Sequence, residues 1–241
     1  MPLTLYYLPY SPWSIKARCA LRHHAVAVRE REYTPVLGEP ALRLRLRKFG
    51  GRVSVPVLFT PAGVLTDSWE IALFADRVGS GAALIPNEKR ALIAEWNAAS
   101  ERLLSAARSC AMLRVLHAPQ AALESLPAPV ARLLGERGGV LAVRVFNAKY
   151  AIRPEQQADY HAQVRQELSR LRQALAGGRR YLLDQLSYAD FAMAVGIACL
   201  LPLPSAPMGP TMRHASTDEV LAAEFADLIG WRDALHAEHP W

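Results

Sequence analysis

The rhythm of hydrophobic and polar positions changes about a third of the way along the chain. Leu3 to Tyr7 is a short apolar run rich in β-forming residues and predicts a strand. Pro9 to Pro12 breaks it. From Ile15 to His24 the spacing is helical: Ala17, Ala20 and Leu21 share one face, Arg18 and Arg22 another. Val26 to Tyr33 alternates and predicts a second strand. Ala41 to Lys48 reads as a short helix and Val53 to Thr60 as a third strand. Pro61-Ala62-Gly63 is a hairpin turn into a fourth strand at Val64-Leu65. Asp67 to Val78 is a helix closed by Gly79-Ser80-Gly81. The order β-α-β-α-β-β-α implies a small α/β sheet covered by helices.

Beyond Pro86 the pattern is helical throughout. Glu88 to His117 is rich in Ala, Leu and Arg with no Gly or Pro, and Pro127 to Leu134 and Leu141 to Ala151 are broken helical stretches. Pro154 to Ala176 carries Val164, Leu168, Leu171 and Leu175 on one stripe, with Pro154 in its first turn and Gly177-Gly178 at its end. Ala189 to Leu201 is almost wholly apolar and predicts the central helix of a bundle. Thr217 to His236 closes the chain with another helix. The expected organisation is an α/β domain over residues 1–80 and an all-α domain over residues 87–241. The Pro-rich run at 202–210 has no assigned role.

Composition narrows the class. A chain of 241 residues is long for one domain and comfortable for two. With 51% hydrophobic and 21% charged residues it supports a core rather than disorder. Cys19, Cys110 and Cys199 lie far apart, form no CxxC and are odd in number, which points to a reducing compartment. The start of the chain shows no basic segment ahead of an apolar run. The most apolar stretch, Phe191 to Leu203, falls short of the roughly 20 residues a membrane helix needs. A cytoplasmic protein without membrane contact is expected. The net charge of +6 is concentrated at Arg43, Arg45, Arg47, Lys48 and Arg52. Leucines, not stacking aromatics, interleave these charges, so a nucleic-acid surface is not expected; a solvated helix face or an anion site is. His23 and His24 point apart on a helix and have no third partner at metal-ligand spacing, so no metal is expected.

Three short motifs carry the chemistry. In Tyr10-Ser11-Pro12-Trp13-Ser14, Ser11 follows a strand and precedes a helix, with Pro12 at the first helical position. Its hydroxyl lies beside the free N–H groups at the positive helix end, where it either caps the helix or stabilises an anion such as a thiolate. In Val53-Ser54-Val55-Pro56-Val57-Leu58, a proline inside a strand pattern implies a fixed bend, and a cis peptide suits it. Such a bend frees the Val55 N–H and C=O to pair with a peptide-like ligand. In Thr66-Asp67-Ser68-Trp69-Glu70, Asp67 or Ser68 caps the next helix and suits an amino-acid head group.

In order and spacing these elements, YSPWSIKAR, SVPVLF and LTDSWEIALFAD, resemble the thioredoxin-like domain of cytosolic glutathione transferases, and the Ser-Pro-aromatic form is similar to the serine-type members. Further on, Ser187-Tyr-Ala-Asp190 resembles that family's capping box ahead of a buried helix, with Asp190 returning to the Ser187 N–H and Leu186 as a staple. The resemblance implies a thioredoxin-like N-terminal domain followed by an all-helical C-terminal bundle. It implies glutathione as co-substrate, held by Val55, Pro56, Asp67 and Ser68, and activated for attack on hydrophobic electrophiles, as in detoxification. Ser54 stands where the family often keeps a Lys or Gln for the glycyl carboxylate; Arg52 or Lys48 is the substitute. Ser11 is the expected thiolate donor, with Tyr7 and Ser14 as alternatives. Trp13, Trp96 and Met112 are the expected electrophile wall. A homodimer is implied. Isomerase, reductase or dehalogenase chemistry on the same fold, and a non-catalytic binding module, remain open. Cys19, two turns into the helix, reads as a packing residue.

Overall fold

The structure is a computed structural model that describes residues 2–34 and 38–241. Its N-terminal part is a four-stranded mixed sheet in the order β2-β1-β3-β4, thioredoxin-like, with β1 at Thr4–Tyr7, β2 at Arg29–Glu32, β3 at Val57–Thr60 and β4 at Gly63–Leu65. β1 runs parallel to β2 and antiparallel to β3; Leu5 faces Glu30 on one side and Leu58 on the other. The β3–β4 hairpin pairs Thr60 with Gly63, as the Pro-Ala-Gly turn predicts. β2 is shorter than its alternating stretch suggests. Its four residues are all exposed and it pairs only with β1, so its length is set by β1's four residues rather than by its own pattern. β3 likewise begins only after Pro56, which has no N–H to give a ladder.

Three helices flank the sheet: α1 (Pro12–His23), α2 (Glu39–Leu46) and α3 (Ser68–Val78). α1 and α3 cover one face, where Leu5, Leu58, Ala17, Ala20, Leu21, Ile71 and Ala75 are buried. α2 covers the other, with Leu42 packed on Val55, Val57 and Phe59. Each buried Leu contributes about 1.5–3 kcal/mol. The basic stretch is more than a solvated helix face. Arg43 bonds Glu39 of its own helix, and Arg45 lies 4.6 Å from the Phe59 ring centre and donates to the Tyr6 hydroxyl. The chain thereby covers the outer rim of the sheet with guanidinium stacking.

The helical part comprises α4 (Arg90–Leu116), α5 (Pro119–Glu124), α6 (Ala128–Lys149), α7 (Gln157–Ala174), α8 (Tyr188–Ile197), α9 (Pro210–Ser216), α10 (Glu219–Glu224) and α11 (Ala226–Glu238). The break expected between 134 and 141 is a kink at Gly135, whose φ of 60° only glycine adopts without strain. The Pro-rich run leads into α9, a helix the sequence pattern did not predict; Arg213 organises the run by donating to the carbonyls of Leu203 and Ala206. α8 is buried along its whole length, and Asp190 at its start accepts from the N–H groups of Leu182 and Ser187 at 2.7 and 2.8 Å. One apolar cluster runs from Leu5 of the sheet through α4, α7 and α8 to Leu228 of α11, so the two parts share a core.

Candidate active site

Ser11 lies where β1 hands over to α1. It is the N-cap residue, extended at φ −80° and ψ 120°, and Pro12 follows as the first helical residue. Its backbone is engaged: the N–H donates to the Leu8 carbonyl at 3.1 Å and the carbonyl accepts from Ile15 at 2.9 Å. Its hydroxyl makes no capping bond. It is left beside a helix end whose first N–H groups have no intrahelical partner and carry partial positive charge. The turn is held instead by Ser14, wholly buried, whose hydroxyl accepts from the Leu8 N–H at 3.1 Å. Tyr7, at the end of β1, has the Arg18 guanidinium 4.5 Å from its ring centre.

The Val55–Pro56 peptide is cis. Val55 precedes β3 and lies outside the ladder, and its N–H and C=O have no partner among the described residues. Asp67 caps α3, its Oδ1 accepting from the N–H groups of Trp69 at 2.8 Å and Glu70 at 3.4 Å. Ser68 is buried and its hydroxyl has no partner; the Tyr188 hydroxyl of α8 is in the same condition. Burial pushes the Tyr188 phenol well above its ordinary range. The Tyr188 ring packs on Trp69 with centroids 5.6 Å apart.

A charged network that sequence reading missed joins this region to α4. Lys16, 0% exposed, donates to Asn97 at 2.7 Å, Ser100 at 2.9 Å and Glu101 at 2.6 Å. Burial pulls its ammonium below the ordinary lysine range, against the opposite pull of Glu101. The other Glu101 oxygen accepts from the Trp13 indole N–H at 2.5 Å. One carboxylate of α4 thus fixes two side chains of α1 within five residues of Ser11. The signal was present: Lys16 stands four residues before Ala20, a charge on the apolar stripe of α1, and such a residue needs a partner.

Arg108 lies seven residues beyond Glu101, on the same face of α4. Its guanidinium carbon sits 5.0 Å from the Trp13 ring centre, 6.0 Å from Phe146 and 4.1 Å from Tyr150. Arg52 stacks on Tyr150 as well, at 4.8 Å, and donates to the Lys149 carbonyl at 2.6 Å, at the C-terminus of α6. Glu39 reaches the Lys149 ammonium at 3.6 Å and Arg43 at 2.7 Å. The 47–52 segment is thereby held to the end of α6, and Lys48 within it is exposed. Burial, then Glu39, push the nearby Tyr33 phenol up to about 12.

Of the residues expected to face the electrophile, Trp13 stands beside Ser11. Trp96 packs in the main core under Arg170, whose guanidinium is 4.6 Å from its ring centre, and Met112 packs with Val115, Ala122 and Val143. Both follow the helical spacing of α4 into packing clusters, and Arg108, Phe146 and Tyr150 are what surround Trp13 instead. Cys19 is buried, and burial pushes its thiol up to about 12. His23 bonds the Ala82 carbonyl, and His24 lies between the Ser80 carbonyl and Asp76. Among the described residues no three His, Cys, Asp or Glu side chains gather as a metal site would require. No described helix is long and apolar enough to cross a membrane. A depression of about 680 Å³, lined by Leu3, His24, Val26, Thr60, Phe74 and Gly79 among others, contains none of the motif residues. It lies at the other end of α1, about 18 Å away at 1.5 Å per residue.

Residues 5–79 match the family model of the glutathione S-transferase N-terminal domain. No curated protein sequence matches the chain significantly. Solved structures match over nearly its whole length. A glutathione S-transferase from Methylobacillus flagellatus, crystallised with glutathione bound, is 19% identical with a TM-score of 0.65, covering 97% of this chain and 94% of its own. A glutathione S-transferase from Ceriporiopsis subvermispora in complex with glutathione is 17% identical with a TM-score of 0.64, covering 100% and 98%. A glutathione S-transferase domain-containing protein from Marinobacter aquaeolei is 18% identical with a TM-score of 0.63, covering 97% of each chain. At these identities the likeness establishes the fold.

Proposed function

With residues 5–79 matching the family model of the glutathione S-transferase N-terminal domain and the chain sharing the fold of solved glutathione S-transferases, we propose that the protein binds glutathione and activates its thiol for attack on an electrophilic small molecule. The observation that carries this reading is the Ser11 hydroxyl. A serine that merely capped α1 would turn its oxygen onto the helix, and this one makes no such bond. It remains available to a sulfur anion at the positive end of α1. A free thiol has a pKa of about 8.5, so one or two units of depression, about 1.4 kcal/mol each, give a substantial thiolate fraction at neutral pH.

In this reading the cysteinyl backbone of glutathione pairs with Val55, outside the β3 ladder, as an added strand would. The γ-glutamyl head lies at the N-terminus of α3, where Asp67 meets its ammonium and Ser68 its carboxylate. Lys48 is the cation for the glycyl carboxylate, because Arg52 is engaged with the α6 carbonyl end. Ser14 has its hydroxyl occupied by Leu8 and is the weaker donor. The sulfur is the nucleophile and Ser11 stays a hydrogen-bond donor throughout. The same thiolate serves conjugation, isomerisation, reduction or dehalogenation. We place the protein in the cytoplasm as a homodimer, as the family resemblance implies, in keeping with three unpaired cysteines.

The test is the ionisation of bound glutathione, followed by thiolate absorbance against pH. The expected result is a thiol pKa below 8.5 in the wild type, and a rise of about one unit or more in Ser11→Ala. A wild-type pKa no lower than 8.5, with glutathione bound, would assign the chain to the non-catalytic binding modules, and a lowered pKa unchanged in Ser11→Ala would move the donor role to Tyr7 or Ser14.

A further inference from the structure

Most of the described arginines that are not freely exposed use their donors on the protein. Arg43 bonds Glu39 and the Gly51 carbonyl; Arg114 bonds Asp218 and two carbonyls; Arg213 bonds four carbonyls; Arg232 bonds Asp233 and the Leu201 carbonyl. Arg108 has neither a hydrogen bond nor an ion pair with any described residue, and its buried Nε has no acceptor. What surrounds it is three aromatic rings: Trp13, Phe146 and Tyr150. Those rings hold the guanidinium plane without using any of its five N–H donors.

The charges nearby do not supply its missing anion. Glu101 is divided between Lys16 and Trp13, and Glu39 between Arg43 and Lys149. The Cys199 thiol near it is pushed up to about 12 by burial and is neutral. Arg52, on the same Tyr150 ring, adds a second positive charge. A desolvated cation with a planar donor fork and no counter-ion is matched by a carboxylate, which such a fork binds through two parallel hydrogen bonds.

We propose that Arg108 receives an anionic group, a carboxylate in the simplest case, carried by the electrophilic co-substrate. This rests on the glutathione reading above: the Trp13 ring on which Arg108 stacks belongs to the first turn of α1, the end of the helix at which that reading sets the thiol. The aromatic rings favour a flat, conjugated acceptor whose body stacks while its acid end meets the fork. The preferred electrophiles are therefore aromatic or unsaturated acids rather than neutral hydrophobic compounds, and Arg108 is the residue that discriminates between them.

The carboxylate could instead be one of glutathione's own, so the test separates the two sources. Calorimetric titration of the full-length protein uses three probes: glutathione, S-(4-carboxybenzyl)glutathione, and the methyl ester of that benzyl carboxylate. The wild type is expected to bind the carboxybenzyl conjugate about tenfold or more tightly than the ester. Arg108→Gln removes that preference and changes the affinity for glutathione itself by less than about twofold. Arg108→Lys, which keeps the charge and loses the fork, retains part of the preference and decides the matter if the Gln variant does not fold. Equal binding of acid and ester by the wild type overturns the proposal, as does an equal loss of glutathione affinity in Arg108→Gln. Wild-type protein that binds none of the three probes refutes the glutathione reading itself, an outcome distinct from the other two.

Discussion

The polar groups at the two ends of α1 are left in different conditions. At the C-terminal end His24 is buried between the Ser80 carbonyl and Asp76, and Asp76 also accepts from the N–H groups of Leu84 and Ile85 at 3.0 and 2.7 Å. Gly79 abuts His24 so closely that a Cβ there would stand 2.4 Å from the His24 Cβ. Every named polar group at this end has a protein partner. At the N-terminal end, among the described residues, the Ser11 hydroxyl makes no cap, the Ser68 and Tyr188 hydroxyls are buried without a hydrogen bond, and the buried Arg108 Nε has no acceptor. Buried polar groups are normally satisfied, and leaving one unpaired costs about 1–3 kcal/mol. The paired groups around His24 hold the fold together at one end, while unpaired polar groups collect at the other among paired ones such as Lys16 and Ser14. The 680 Å³ depression beside the saturated end, for all its size, offers a ligand little beyond groups already in use.

The strongest way to break this comparison is Asp76→Ala. It strands two amide N–H groups and the buried His24, so a loss of about 3 kcal/mol is expected, near 6–12 °C in melting temperature for a chain of this size. Glutathione affinity of the folded protein should not move. A parallel loss of affinity would show that the saturated end also serves the ligand site. Ser11→Ala sharpens the contrast from the other side. Removing a serine that caps a helix ordinarily costs about 1 kcal/mol. Here the expected change in denaturant midpoint corresponds to less than about 0.5 kcal/mol, because no cap bond exists to be lost. A full capping cost would mean that the hydroxyl serves the helix after all.

The smallest effect belongs to Glu39, an engaged group at the rim of the site. The Arg43 hydrogen bond, ahead of the Lys149 charge, holds its carboxyl below the ordinary glutamate value. The unfolded chain therefore binds this proton more readily than the folded one. The stabilisation is present above the ordinary value of about 4.3 and is lost as pH falls through the lower folded value. Glu39→Gln should flatten the acid limb of a melting-temperature profile slightly and leave the neutral-pH affinity for glutathione intact. An acid limb that superimposes on the wild type would remove Glu39 from the interactions that hold the 47–52 segment to α6.

Legibility in the sequence followed the range of the interactions involved. The β-α-β-α-β-β-α order, the helical second part, the Asp67 cap and the Asp190 return bond are encoded within a few residues, by period, proline position and capping pattern, and all are present in the structure. The ends of β2 and β3 are not local, since a strand is only as long as the neighbour that pairs with it. Trp96 and Met112 show the limit for side chains. Their helix was evident, but which face of α4 meets α1 is fixed by packing, and the face that does so carries Asn97, Glu101 and Arg108.

By itself the sequence determined the kind of fold and placed Ser11, Val55 and Asp67 at a helix start, a strand bend and a helix cap, because those positions depend on backbone preferences of neighbouring residues. Only the tertiary structure decided which polar groups are taken and which are left. Ser14 rather than Ser11 ties down the turn, Lys16 finds acceptors more than eighty residues away, and Arg108 finds rings instead of a carboxylate. The physical reason is that a hydrogen bond or ion pair between distant segments exists only once the core has set one helix against another.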